Sequence, residues 1–295
     1  ENGVYSASSR LVYGVVADGR STAVLRIPAA YVGQQFNVEI SRNSCQYSGI
    51  PLTNVCGAVG MATGLASTPP SAVSILVPAV NTPSGPMALV AYRAPDDYAP
   101  HARHYDSSTN VREVKINIYG SSLLEHKINI IRPKTVFVHG LWSVPSDLDN
   151  LAKSSIGRSY PTYMANFGED AQLLSPNAGE TSIGSSLGVS YAAAIVANQI
   201  QANLKRYKDG KNPLALPIVA NRVNVVGHSM GSLVARVISL KYEDLIHKII
   251  SVGGPHQGSP MAALLAETAN SCGAKAYARY KGWYSFGDCP NCVSA

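Results

Sequence analysis

The segment VNVVGHSMGSLVAR, Val223 to Arg236, decides the fold. An apolar run ends in Gly227-His228-Ser229-Met230-Gly231, and apolar residues at helical spacing follow at once. That order predicts a buried strand, a tight turn and a helix, with a serine at the apex. A serine so placed is a nucleophile only if a histidine takes its proton. Side chains at 227 or 231 would collide with the neighbouring strand and helix, and the serine itself must take a strained conformation. The helix N-terminus beneath it favours negative charge, and the Met230 N–H is expected to point towards a developing oxyanion. A second donor is expected from another strand end. KTVFVHGLW, residues 134–142, is a continuous apolar run closed by His139-Gly140, which offers the Leu141 N–H. The same G-x-S-x-G spacing occurs at Gly184-Ser185-Ser186-Leu187-Gly188, but polar SPNAGETSI precedes it. That copy reads as a loop entering a helix.

Around this segment the chain has two periods. Residues 1–132 read as short strands punctuated by Pro and Gly, and are expected to form an all-β sandwich. SRLVYGVVADGRSTAVLRIP breaks at Asp18-Gly19, a hairpin signal, and SAVSILVPAV, GPMALVAYRA and REVKINIYG are further strands. Residues 133–295 alternate strand and helix, so this half is expected to be α/β with a parallel sheet. SDLDNLAK suggests a helix with Ser146 as its N-cap. SYAAAIVANQIQANLKRYKDG is a longer helix ending in Lys, Arg and Gly, while RVNVVG and HKIISVGG are strands.

VHGLW, VVGHSMGSLVAR and GGPHQGSP occur in the order and approximate spacing of bacterial triacylglycerol lipases and related esterases. Residues of about 134 to 262 thus resemble the α/β-hydrolase superfamily. By that resemblance Ser229 is the acyl-accepting nucleophile of a carboxylic-ester hydrolase. Leu141 and Met230 are its oxyanion donors, Gly227, His228 and Gly231 form the nucleophile elbow, and the turn at 253–259 is structural. The substrate implied is an ester or lipid. No cofactor or metal is implied, and the residues that hold calcium in some such lipases would lie beyond residue 295. ADGRSTAV, residues 17–24, resembles bacterial immunoglobulin-like modules.

The resembled family places its triad acid and histidine well after the serine. Only His247 and His256 follow Ser229, with Glu243, Asp244, Glu267 and Asp288 as acids, and none carries the family's context. His139 and His228 belong to the motifs. His101, His104 and His126 are expected to be solvated, and His256 is the one tempting base. The parallel sheet is therefore expected to be incomplete at its C-terminal side, with the triad acid and histidine beyond residue 295. MAALLAETAN after Pro260 reads as the start of a lid or an ordinary helix.

Hydrophobic residues are 46% and charged residues only 14% of the chain, which excludes a disordered chain. The net charge of +6 is scattered rather than clustered, against nucleic-acid binding. No apolar run reaches the roughly 20 residues of a membrane-spanning helix. Cys45 and Cys56 are close enough in sequence to bridge, as expected of a secreted or periplasmic protein. Cys272, Cys289 and Cys292 leave one thiol over, so a partner segment, linked by a disulfide, is expected. Two other readings stand: an acyltransferase on the same acyl-enzyme chemistry, or a triad-deficient binding protein.

Overall fold

The computed structural model describes residues 3–6, 11–44, 51–62, 69–96, 98, 105–106, 111–141, 143–154, 162–167 and 188–259. Cys45, His101, His104, Ser185, Ser186 and everything after Ser259 lie outside them. The chain divides into two compact units. Of the described residues, the first unit takes those up to Lys134 and also Ile200–Val223.

The first unit contains β1 (Gly3–Ser6), β2 (Gly14–Val16), β3 (Thr22–Pro28), β4 (Gln35–Ile40), β5 (Ala58–Met61), β6 (Ser74–Pro78), β7 (Val80–Thr82), β8 (Gly85–Arg93), β9 (Tyr105–Asp106), β10 (Val111–Tyr119) and β11 (Leu123–Ile131). One sheet has the order β1-β3-β8-β5 with β7 on β8; the other has β2-β11-β10-β4-β6 with β9 on β10. The strands alternate as half-buried strands must. Ala23, Leu25 and Ile27 of β3 and Val114, Ile116 and Ile118 of β10 point into one hydrophobic core shared by both sheets. Gly14 lies so close to β11 that any side chain would strike the Asn129 carbonyl. A short helix, α1 (Leu52–Cys56), closes on this core. Its last carbonyls are satisfied by side chains: the Arg112 guanidinium donates to Val55 and the Tyr92 hydroxyl donates to Cys56 at 2.7 Å. Cys56 is buried and disulfide-bonded.

Asp18-Gly19 does not make the expected hairpin, since β2 and β3 belong to different sheets. The reason lies in the Asp18 carboxylate, which is wholly buried and turns back on its own loop. It accepts from the Arg20 N–H at 3.0 Å, the Ser21 N–H at 2.6 Å and the Ser21 hydroxyl at 2.7 Å. It also accepts from the Asn221 and Arg222 N–H groups at 3.1 and 3.0 Å. Beside it, Val219 forms a parallel bridge with Val15 and joins the first unit's core. His126, expected in solvent, is half-buried in β11, and burial pulls its pKa below the ordinary value.

The second unit has β12 (Thr135–Val138), β13 (Thr162–Ala165), β14 (Val223–His228) and β15 (Ile246–Val252) in the order β13-β12-β14-β15. Both neighbours of β12 run parallel to it. Its helices are α2 (Asp149–Ala152), α3 (Val189–Lys208), whose C-terminal half belongs to the first unit, and α4 (Met230–Lys241). All four residues of β12 are buried, as parallel strands require. Ser146 is not an N-cap. Pro145 opens a 3-10 turn at Pro145–Leu148, and Asp147 does the capping, accepting from the Val144 N–H at 3.1 Å and the Ser143 hydroxyl at 2.8 Å. Phe137, Leu148 and Val226 pack together beneath this turn.

Candidate active site

Ser229 stands at the junction of β14 and α4, with φ 53° and ψ −124°. Residues other than glycine avoid this region, and such strain collects at functional sites. The surroundings impose it. The Ser229 N–H donates to the Val252 carbonyl at 2.9 Å, so β15 fixes the turn from one side. From the other side, the Ser232 N–H returns to the Ser229 carbonyl at 3.0 Å, and the buried Ser232 hydroxyl donates to the Gly227 carbonyl at 2.7 Å. A side chain at 227 would stand 2.6 Å from the Gly231 carbonyl oxygen and the Ser232 nitrogen. One at 231 would strike the Val138 carbonyl and approach that of His139 to 2.6 Å. Both glycines are therefore steric requirements of the elbow.

The register of the parallel sheet brings the second motif here. Val138 pairs with Gly227, so His139-Gly140 continues alongside His228-Ser229. A Cβ on Gly140 would lie 2.9 Å from Ser229 Cβ and 3.4 Å from its hydroxyl oxygen. Backbone of the His139–Leu141 turn is thus in contact with the serine at the carboxyl end of the strands, where open α/β sheets place their sites. The third motif touches the same turn. A Cβ on Gly254 would lie 2.5 Å from Ser232 Cβ and 2.8 Å from His256 Nε2. Leu141 and Met230 are half-buried, and Met230 is the first residue of α4.

His139 is wholly buried, stacked on Phe167 with ring centroids 3.9 Å apart and planes 12° from parallel. Its Nδ1 lies 3.1 Å from the Gly140 carbonyl, which can only accept, so the proton sits on Nδ1. Burial drives its pKa down, against smaller upward pulls from that carbonyl and from Asp147. Held in this stack, the imidazole supports the turn, and its buried Nε2 makes no hydrogen bond to the Ser229 hydroxyl. His228 is exposed at the end of β14. His247 pairs through Nδ1 with the Asn224 side-chain oxygen at 3.2 Å. His256 is exposed, and its Nε2 is 2.8 Å from the Ser251 hydroxyl. Among the described residues no hydrogen bond reaches the Ser229 hydroxyl. Glu243 and Asp244 lie in the turn after α4, and Asp244 takes φ 65°. Glu267, Asp288 and residues 184–187 of the second G-x-S-x-G lie outside the described residues.

Sequence reasoning missed Phe167 and Ser232. Phe167 is remote in sequence from its stacking partner, and nothing local marks it. Ser232 did carry a signal, a small hydroxyl residue in the first turn of α4, able to reach the strand carbonyl below. Among the described residues no cluster of three or more His, Cys, Asp and Glu side chains is gathered to hold a metal ion.

Residues 135–269 match the family described as the PGAP1-like alpha/beta domain. A triacylglycerol lipase of Pseudomonas fragi is 46% identical over 43 residues, which are 15% of this chain and 15% of that protein. The chain thus matches only a small part of the length of this curated relative. Among solved structures, a predicted CIB-like hydrolase from Thermoplasma acidophilum has 18% identity and a TM-score of 0.27, covering 49% of this chain and 58% of that one. The self-complemented fimbrial subunit MyfA of Yersinia enterocolitica, in complex with galactose, has 9% identity and a TM-score of 0.17, covering 44% of this chain and 96% of that one. Overlays at these scores carry no weight beside the family match. Residues 135–269, just under half of the chain, are thus similar to an alpha/beta-hydrolase domain, in agreement with the parallel sheet and the elbow described above.

Proposed function

We propose that this protein is a secreted serine ester hydrolase that acts on lipid or other carboxylic esters through an acyl-enzyme on Ser229. The observation that carries this reading is the strained Ser229, at φ 53° between β14 and α4, with Gly140 packed against it. Nothing in packing alone calls for a non-glycine residue there, whereas a nucleophile must project from such a turn. Ser229 Oγ attacks the ester carbonyl, the alcohol leaves, and water releases the acid. The N–H groups of Leu141 and Met230 hold the oxyanion, aided by the α4 N-terminus. A histidine and its acid partner outside the described residues would complete the triad; His139 stacks on Phe167, and His256 bonds to Ser251 rather than to Ser229. Cys56 pairs with Cys45, a bridge suited to an exported protein. Residues 1–132 form an immunoglobulin-like sandwich.

The test is ester hydrolysis by the purified protein, with p-nitrophenyl butyrate and with emulsified triacylglycerol, beside Ser229→Ala. Turnover of either ester that disappears in Ser229→Ala supports the reading. Turnover that survives the substitution, or its absence in the native protein, overturns it. A triad-deficient binding protein is the second reading, favoured by the absence of any described histidine bonded to the Ser229 hydroxyl. Tight binding of a lipid without its cleavage would establish it.

A further inference from the structure

We propose that one end of the first unit is a docking tip for a neutral lipid–water interface; the choice of a lipid rests on the lipase-like reading of Ser229. The topology gathers this tip from both sheets. Pro28 pairs with Met87, Gln35 with Pro78, Asn37 with Leu76 and with Tyr119, and Tyr119 with Leu123. The β3–β4 loop, the β6–β7 link and the β10–β11 turn therefore emerge at the same end. Tyr31, Val32, Leu76, Tyr119, Leu123 and Leu124 are all exposed there, Tyr31 at 63%, Leu123 at 60% and Leu76 at 57%. Single exposed apolar residues are ordinary, but convergence of six on one end is the mark of an interaction surface.

The loop that offers Tyr31 and Val32 is built rather than loose. Its Gly33 N–H donates to the Ala79 carbonyl at 2.8 Å, the Ala79 N–H returns to Gln34 at 2.8 Å, and the Gln34 side chain accepts from the Ala30 N–H at 2.8 Å. Gly33 takes φ 89° with nothing near its missing side chain, as a tight turn at a tip requires. Two tyrosines among aliphatic residues suit the polar–apolar boundary of a lipid surface.

Charge decides the partner. Residues 28–37, 76–87 and 117–124 contain no Asp, Glu, Lys or Arg, in a chain where these make up 14%. The net charge of +6 lies elsewhere on the chain. A surface meant for an anionic membrane or a nucleic acid would bring its cations to the contact. An uncharged apolar tip instead inserts among neutral or zwitterionic lipids, driven by buried apolar area and hardly affected by salt.

Vesicle partitioning of the whole protein tests this, using phosphatidylcholine vesicles and triolein droplets at low and high salt. The wild type should bind both with little salt dependence. Tyr31→Ser combined with Leu123→Ser should lower the partition coefficient at least about tenfold, since each lost anchor removes much of a buried side chain's transfer energy. Both positions are exposed, so the melting temperature should not move, and turnover of soluble p-nitrophenyl butyrate should stay the same. Tyr31→Trp should give a blue-shifted emission on adding vesicles. Unchanged partitioning of the double variant overturns the proposal. So does binding that needs anionic lipid and vanishes in high salt. Light scattering that finds a dimer, made monomeric by the same two substitutions, would assign the tip to self-association instead. Ser229→Ala should bind vesicles like the wild type, so failure of the esterase reading and failure of the docking tip are separable.

Discussion

Replacing Gly140 with alanine puts a single methyl group between the His139–Leu141 turn and the serine. That methyl carbon would sit 2.9 Å from Ser229 Cβ, 3.3 Å from the His228 carbonyl oxygen and 3.4 Å from Ser229 Oγ. Unstrained carbon pairs keep about 3.5–4.0 Å, so the turn or the serine must give by roughly 0.5–1 Å. Gly140 does not take a positive φ, and the perturbation is therefore steric rather than conformational. Overpacking of this kind costs about 1–3 kcal/mol, a fall in Tm of about 2–12 °C in a chain of this size. Reactivity should suffer more. A displacement near 1 Å of a reacting group costs on the order of 100-fold. Labelling of Ser229 by a fluorophosphonate, followed by intact mass against time, measures this without any substrate. Gly140→Ala should label about 100-fold more slowly, while thermal unfolding stays cooperative. A variant that labels at the wild-type rate would refute the contact between the two motifs.

Ser229→Gly should abolish labelling yet raise stability by about 1 kcal/mol, because glycine occupies φ 53° freely; a thermal melt and a mass spectrum check both halves. Asp18→Ala should destabilise by about 2–3 kcal/mol in denaturant unfolding, since it strands a buried donor at Ser21 and part-buried donors at Asn221 and Arg222. His139 binds its proton less readily when folded than its ordinary value of 6.5 implies. Its neutral form is the one the fold holds, so its contribution is complete above pH 6.5 and is lost as pH falls through the lower folded value. His139→Phe should therefore flatten the acid side of the stability curve below pH 6.5. The half-buried His126, present in both proteins, cancels in the difference between the two melts.

Much of the second unit is legible along the chain because its determinants are local. TVFV and VNVVG are apolar runs bounded by turn residues, and they become the central parallel pair. The Lys-Arg-Tyr-Lys-Asp-Gly end of α3 stops the helix at Lys208, with Gly210 at φ 88°. The elbow is legible too: Gly227 answers a clash with Gly231 and Ser232 a few residues on, although Gly231 answers the distant backbone of Val138 and His139. What resists reading is pairing at long range. Asp18-Gly19 carries the local chemistry of a hairpin, but the Asp18 carboxylate is taken by donors about 200 residues away, and the strands around it part. The same distance hides Val219 in the core of the first unit and Phe167 against His139. Ser146 misleads for a different reason, as Pro145 fixes the start of the turn before a serine cap can.

The most direct measurement is tryptic mapping of the native protein after exposure to a fluorophosphonate probe. The adduct should fall on the peptide holding Gly227-His228-Ser229-Met230-Gly231, and Ser229→Ala should carry none. An adduct on Ser251, hydrogen-bonded to His256, or no adduct at all, would contradict the account of Ser229 as the nucleophile.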